Sequence, residues 1–193
     1  MDLVVDDYGK YRMKVPLSDS VILLTSKSIS VLDAFIQTVL KSREQCYVME
    51  QDGKESQSLA DYNVDFIDDE FSKTSLGIEE YLSFFGLANR MFNDSFAKDI
   101  DKFLIDNNLQ ELKDKPLCEL SAIMQIKARL FISKKRKTRL LILSNNNGTI
   151  NDKSVIEIAE YVNSYCKEHN MIAIITTRFT PLVKAYKGEL ITL

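Results

Sequence analysis

Leu140-Leu141-Ile142-Leu143-Ser144-Asn145-Asn146-Asn147-Gly148 is the stretch that decides the fold. Four consecutive apolar side chains offer water no polar face, so the run reads as a strand buried on both sides. The asparagines and glycine after it read as a flexible polar turn, since Asn and Gly accept left-handed backbone. The pattern recurs on either side. Val21-Ile22-Leu23-Leu24 is followed by a helical face of Val31, Leu32, Phe35, Ile36, Val39 and Leu40. Ile172-Ala173-Ile174-Ile175-Thr176-Thr177 is preceded by a helix from Ser154 to Lys167, with Val155, Ile158, Ala159, Val162 and Tyr165 inward. Buried strands alternating with amphipathic helices predict an α/β fold, a mostly parallel sheet covered by helices.

Outward from these runs the patterning changes. Val4-Val5 and Tyr11-Arg12-Met13-Lys14-Val15 alternate as half-exposed strands, with Asp7-Tyr8-Gly9-Lys10 as a turn. Cys46-Tyr47-Val48-Met49, closed by Asp52-Gly53, completes a small antiparallel β part, and Val64-Asp65-Phe66-Ile67 is a further strand before the acidic Asp68-Asp69-Glu70. From Ile78 to Leu112 the spacing is helical: Ile78, Tyr81, Leu82 and Phe85 make one face, and Phe96, Ile100, Phe103 and Leu104 another. Pro116 ends this region. Leu120-Ser121 opens a helix to about Ser133, and Gly188-Glu189 turns into a last strand, Leu190-Ile191-Thr192-Leu193. The expected organisation is one domain over 1–193. It comprises a β part with its loop and helix (1–60), a helical sub-lobe (75–115), and a C-terminal segment carrying a helix and the core strands (116–193).

Composition narrows the function. The chain has 193 residues and a formal net charge of −3, with 45% hydrophobic and 27% charged residues, ordinary globular values that leave no footprint for nucleic acid. The first residues, Met1-Asp2-Leu3-Val4-Val5-Asp6-Asp7, lack a signal-peptide pattern, and the longest apolar runs have strand length, not membrane-span length. Cys46, Cys118 and Cys166 are isolated, so neither a zinc site nor a disulfide framework is indicated, and a reduced, cytoplasmic protein is expected. Richness in Lys, Asn and Ile fits an AT-rich bacterial genome. One His excludes multi-His metal sites, and six Gly argue against a phosphate cradle built from bare backbone.

The order of elements is similar to that of the nucleotide-binding domain of ABC transporters. Leu120-Ser121-Ala122-Ile123-Met124-Gln125 looks like the family's LSGGQ signature segment. Leu141-Ile142-Leu143-Ser144-Asn145, with Asn151 further on, falls where the family has its Walker B strand and D-loop. Ile174-Ile175-Thr176-Thr177-Arg178 falls at the switch strand, and Gly188-Glu189-Leu190-Ile191 resembles the closing hairpin. With Val21–Leu24 as the strand before the P-loop, Thr25-Ser26-Lys27-Ser28-Ile29-Ser30-Val31-Leu32-Asp33 occupies the Walker A position.

At these positions the family's chemistry is replaced. A P-loop needs glycines for converging backbone N–H groups, a Lys for the terminal phosphates and a hydroxyl for magnesium. Here the glycine positions hold Thr25, Ser28 and Ser30, the lysine position Val31, and the hydroxyl position Leu32. The Walker B aspartate position holds Ser144 and the adjacent glutamate position Asn145, an amide that cannot take up a proton as a carboxylate does. The D-loop aspartate is Asn151, the switch histidine is Arg178, and the signature glycines are Ala122 and Ile123 after Leu120-Ser121. The glutamine-loop position falls near Asp68-Asp69. Lys27 and His169 read as surface residues. The resemblance with these replacements implies no catalytic residue, no ATP or magnesium cofactor, and no other metal.

Three functions remain open. The first is an ATPase-inactive ABC-type subunit that binds or regulates within a bacterial membrane export complex. Its partner would be a transmembrane subunit, an intact ABC ATPase subunit or a second copy of itself, holding it at the inner face of the cell membrane. Tyr81, Phe84 and Phe85 in the helical sub-lobe are then the candidate docking residues, set against the simpler reading of lobe core. The second is a nucleotide-binding ABC subunit whose partner supplies the catalytic residues. The third is an unrelated small α/β adaptor or enzyme, which predicts a different strand order. The basic run Lys134 to Arg139 reads as a solvated helix end or a contact for anionic lipid or an acidic partner.

Overall fold

Continuous apolar runs are stable only where both faces are covered, and the chain places them in such a sheet. A computed structural model describes residues 2–6, 12–17, 21–41, 46–49, 56–59, 62–68, 73–148 and 150–193. The first unit, residues 1–68 with 137–193, holds strands β1 (Asp2–Asp6), β2 (Arg12–Pro16), β3 (Val21–Ser26), β4 (Cys46–Met49), β5 (Ser56–Ser58) and β6 (Val64–Ile67), with helix α1 (Ile29–Lys41) between β3 and β4. The second unit, residues 69–136, holds helices α2 (Ile78–Ala88), α3 (Asp94–Asp106) and α4 (Ala122–Lys135). The chain then returns to the first unit through β7 (Leu140–Asn145), α5 (Asp152–His169), β8 (Ile172–Arg178), the short α6 (Pro181–Lys184) and β9 (Glu189–Thr192).

Two sheets form in the first unit. One is antiparallel, in the order β2-β1-β4-β5, with Leu3 facing Val15 on one side and Val48 on the other. The other is parallel, in the order β6-β7-β8-β3-β9. Side chains alternate across a strand. Ile22, Leu24, Ile142 and Ile174 therefore share one face, packed with Leu32, Phe35, Ile36 and Val39 of α1 and with Leu3, Val5, Val15 and Val48 of the antiparallel sheet. Helix α5 packs on β3 and β8 through Val155, Ile158, Ala159, Val162 and Cys166, none of which belongs to that cluster. Its start is set by Asn151, whose Oδ1 accepts from the Ser154 N–H at 3.0 Å. Its end is set by Asn170, left-handed at φ +52°.

The second unit has its own core of Ile78, Leu82, Phe96, Ile100, Leu104, Leu109 and Phe131. Asn93 caps α3 by accepting from the Phe96 N–H at 2.9 Å. The helical region expected over Ile78–Leu112 is thus two helices followed by a one-turn 3-10 segment, Gln110–Leu112.

Several boundaries differ from the expectations. The helical unit runs to residue 136, beyond the 75–115 lobe, so α4 belongs to it and not to the C-terminal core strands. The physical reason is that α4 buries Ala128, Phe131 and Ile132 in that unit's core. The last strand is Glu189–Thr192, and it is no hairpin with β8. It runs parallel to β3, and a parallel neighbour needs a crossover connection, which α6 helps to supply. Thr180 caps α6, accepting from the Val183 N–H at 3.2 Å, with Pro181 opening the helix. The turns expected at Asp7–Lys10 and Asp52-Gly53, and Asp69-Glu70 of the acidic loop, lie outside the described residues.

Candidate functional site

In a parallel sheet the carboxyl ends of adjacent strands form the natural ligand crevice. Here β3, β7 and β8 bring the Walker-like and switch-like segments to one such end: Ser26 lies opposite Arg178, Ser144 opposite Thr176, and Asn145 opposite Thr177.

The β3 end is closed by the chain itself. Thr25 is fully buried, and its Oγ1 donates to the Ile191 carbonyl at 3.3 Å and meets Thr192 Oγ1 at 3.2 Å. The Thr25 carbonyl accepts from the Leu193 N–H, and Ser26 Oγ donates to the Leu193 carbonyl at 3.3 Å. Two residues, Lys27-Ser28, separate β3 from α1. The Ser28 N–H donates to Ser26 Oγ at 3.1 Å, and the Ser28 and Ser30 hydroxyls meet at 2.7 Å. Lys27 lies 5.9 Å from the centre of the Phe179 ring. Val31 is half-buried, and Leu32 is fully buried in the core under α1.

The β7 end is a lattice of amides. Asn145 is 2% exposed, and both ends of its side chain are bonded to Ile150: Nδ2 donates to the carbonyl at 2.8 Å, and Oδ1 accepts from the N–H at 2.9 Å. Asn146 is 4% exposed; its Nδ2 donates to Asp33 Oδ1 at 2.8 Å, and its Oδ1 accepts from Thr176 Oγ1 at 2.7 Å. Arg178 Nε donates to the Asn146 carbonyl at 3.1 Å, and its Nη2 to the Asn147 carbonyl at 3.4 Å. Gly148, at φ +69°, lets the chain turn under that guanidinium: a Cβ there would stand 3.7 Å from Arg178 Cζ. The turn expected over Asn145–Gly148 is present, closed by the Gly148 N–H donating to the Asn145 carbonyl at 3.1 Å, but Asn145 and Asn146 are buried and bonded at both ends rather than solvated. Ser144 is half-buried.

Sequence reading brought Ser144, Asn145 and Arg178 to this end but missed Asn146, Asp33 and Thr176. The available signal was the third asparagine in a row: a turn needs one or two, and a buried run of amides needs partners.

In the second unit, Leu120 is buried and Ser121 is exposed at the N-cap of α4. The Ser121 side chain makes no capping bond, while its carbonyl accepts from the Met124 and Gln125 N–H groups. Ala122 and Ile123 are half-buried in the first turn. Of the docking candidates, Phe84 is 60% exposed, beside Leu87 at 62%. Phe85 is half-buried, with the Arg129 guanidinium 5.2 Å from its ring centre. Tyr81 is corrected to core: it is buried, and its hydroxyl accepts from Arg129 Nη1 at 3.0 Å.

Two further observations bound the site. A cleft of about 440 Å³ opens at the other end of β3, lined by Val21, Lys167, Tyr186 and Lys187, and includes none of the expected site residues. Among the described residues no helix is long and apolar enough to cross a membrane.

No protein-family model and no curated protein sequence matches the chain. Solved structures do match in fold. One is the ADP conformation of MJ1267, an ATP-binding cassette of an ABC transporter, at a TM-score of 0.66 and 12% identity over 100% of this chain and 87% of that one. Another is cbiO1 from Clostridium perfringens, part of the ABC transporter complex cbiONQ, at a TM-score of 0.67 and 16% identity over 98% of this chain and 83% of that one. The third alternative predicted a different strand order, and the likeness is of the whole fold. The chain has the fold of the ATP-binding cassettes of ABC transporters.

Proposed function

We propose that this chain is an ABC-type subunit that does not hydrolyse ATP and acts as a binding or regulatory component of a bacterial membrane transport complex. The observation that carries the reading is the state of the strand ends. The residues there are neutral at the positions where phosphate and metal chemistry needs charge. A magnesium-nucleotide does not fit them. It calls for a lysine and a hydroxyl where Val31 and the buried Leu32 stand, and for carboxylates where Ser144 and Asn145 stand. The two-residue link between β3 and α1 leaves little backbone to wrap a phosphate. Asn145 bonds Ile150 through both its oxygen and its Nδ2, and Nδ2 also donates to Thr177 Oγ1 at 3.4 Å.

The partner we propose is a transmembrane subunit, which would hold the chain at the inner face of the membrane. An intact ATPase subunit, or a second copy of this chain, would complete the complex. Exposed Phe84 and Leu87 supply an apolar face for such a contact. A second reading is favoured by the likeness to a cassette solved in its ADP conformation: a nucleotide-binding subunit whose partner supplies the catalytic residues. Phosphate release separates the two. The chain is purified alone and, from detergent-solubilised membranes, with whatever it holds. No release by the chain in either state, with any activity residing in a separate ATPase subunit, supports the first reading. Release that this chain's own nucleotide site stimulates supports the second.

A further inference from the structure

Asn146 joins three elements with one side chain. It is the first residue beyond β7; Asp33 lies one turn into α1, and Thr176 lies within β8. The amide donates to Asp33 Oδ1 at 2.8 Å and accepts from Thr176 Oγ1 at 2.7 Å, while Asn146 is 4% exposed and Thr176 is fully buried. An amide meets both demands, with a donor and an acceptor on one planar group. A carboxylate would set two acceptors against Asp33, and an apolar side chain would leave both partners unmet. The bond to Asp33 is charge-assisted and partly shielded from water, which strengthens it. Apolar packing holds α1 on the sheet without direction; the Asp33–Asn146 bond adds a directional tie. Asp33 closes the Walker A-like segment, and Asn146 follows the Walker B-like pair Ser144-Asn145.

We infer that Asn146 is an internal strut that fixes the Walker A-like helix to the Walker B-like loop, so that this end of the sheet keeps one conformation without a ligand. The inference rests on the proposed reading of the site as one without nucleotide chemistry. It turns that reading from a loss into a replacement: the chain's own side chains make the connection between the two segments.

Hydrogen exchange with a charge swap tests it. Asn146→Asp places two carboxylates face to face. Exchange in peptides spanning Ile29–Lys41 should quicken by at least ~10-fold, while α3 peptides stay unchanged. Adding Asp33→Asn restores one donor and one acceptor, and exchange should return to the wild-type rate. Unchanged exchange in Asn146→Asp overturns the strut, and so does acceleration that persists in the double variant. Should Asn146→Asp fail to fold, Asp33→Ala at an exposed position removes the acceptor alone; it should quicken the same peptides, and no change there overturns the inference. Magnesium-ATP binding by the wild-type chain would defeat the proposed function but leave the exchange result readable, so the two failures are distinguishable.

Discussion

Asn145 is a buried polar residue whose side chain serves the fold. Its amide closes the turn after β7 by bonding both the N–H and the carbonyl of Ile150. Asn145→Asp keeps the shape and loses the donor, leaving a buried carboxylate against a carbonyl. A loss of ~1–3 kcal/mol is expected, read as a lower urea midpoint, and an unchanged midpoint would contradict the assignment. The cysteines give a second test at this scale. Burial raises the Cys46 thiol from 9.0 to about 11 and the Cys166 thiol to about 12, whereas Cys118 is exposed. Iodoacetamide at pH 8 should label one thiol in the folded chain and three after denaturation; two or three labels in the folded chain would contradict the burial. The sign of the pH effect follows. Above pH 9 the unfolded thiols release protons while the buried ones keep theirs, so stability falls as pH rises from 9 towards 11, and below 9 these thiols make no difference. Alkaline urea titrations read this directly.

At the scale of elements, close approach outweighs helix propensity in the second unit. Gly86 sits inside α2, where glycine costs about 1 kcal/mol relative to alanine. A Cβ there would come 2.6 Å from Phe96 Cε1, on a ring held by Phe92 at 6.0 Å and Phe131 at 5.7 Å between centres. Gly86→Ala should therefore destabilise by ~1–3 kcal/mol despite the better propensity, measured by thermal or urea unfolding; a gain in stability would mean the ring is free to move. What was legible in the sequence follows the same division between local and tertiary causes. The runs Val21–Leu24, Leu140–Leu143 and Ile172–Thr177 announced their strands because they are mainly apolar, too short for a helix and ended by polar residues. The three-residue β5, made of Ser56, Gln57 and Ser58, carried no apolar signal. The parallel placement of β9 depends on the crossover through α6, a tertiary fact that the strand pattern does not encode. The strand ends were legible as positions, through Ser144, Asn145 and Arg178. Their chemistry was not, because Asp33 and Thr176 lie 113 and 30 residues from Asn146, and their bonds exist only once the strands align.

At the scale of the whole molecule, the chain has the fold of the ATP-binding cassettes, and the proposed function reads Val31, Leu32, Ser144 and Asn145 as uncharged replacements at its strand ends. On that proposal the fold is kept for its surface and its rigidity, not for turnover. The shortage of glycine fits this, since the link after β3 is Lys27-Ser28, with no glycine. The proposed function has no nucleotide bound at the strand ends, whereas binding to the folded state alone would raise stability by mass action. The most direct test is calorimetric titration of magnesium-ATP into the purified wild-type chain. No heat beyond dilution and no upward shift in the melting temperature are expected. Saturable heat, with a matching rise in melting temperature, would contradict the proposed function.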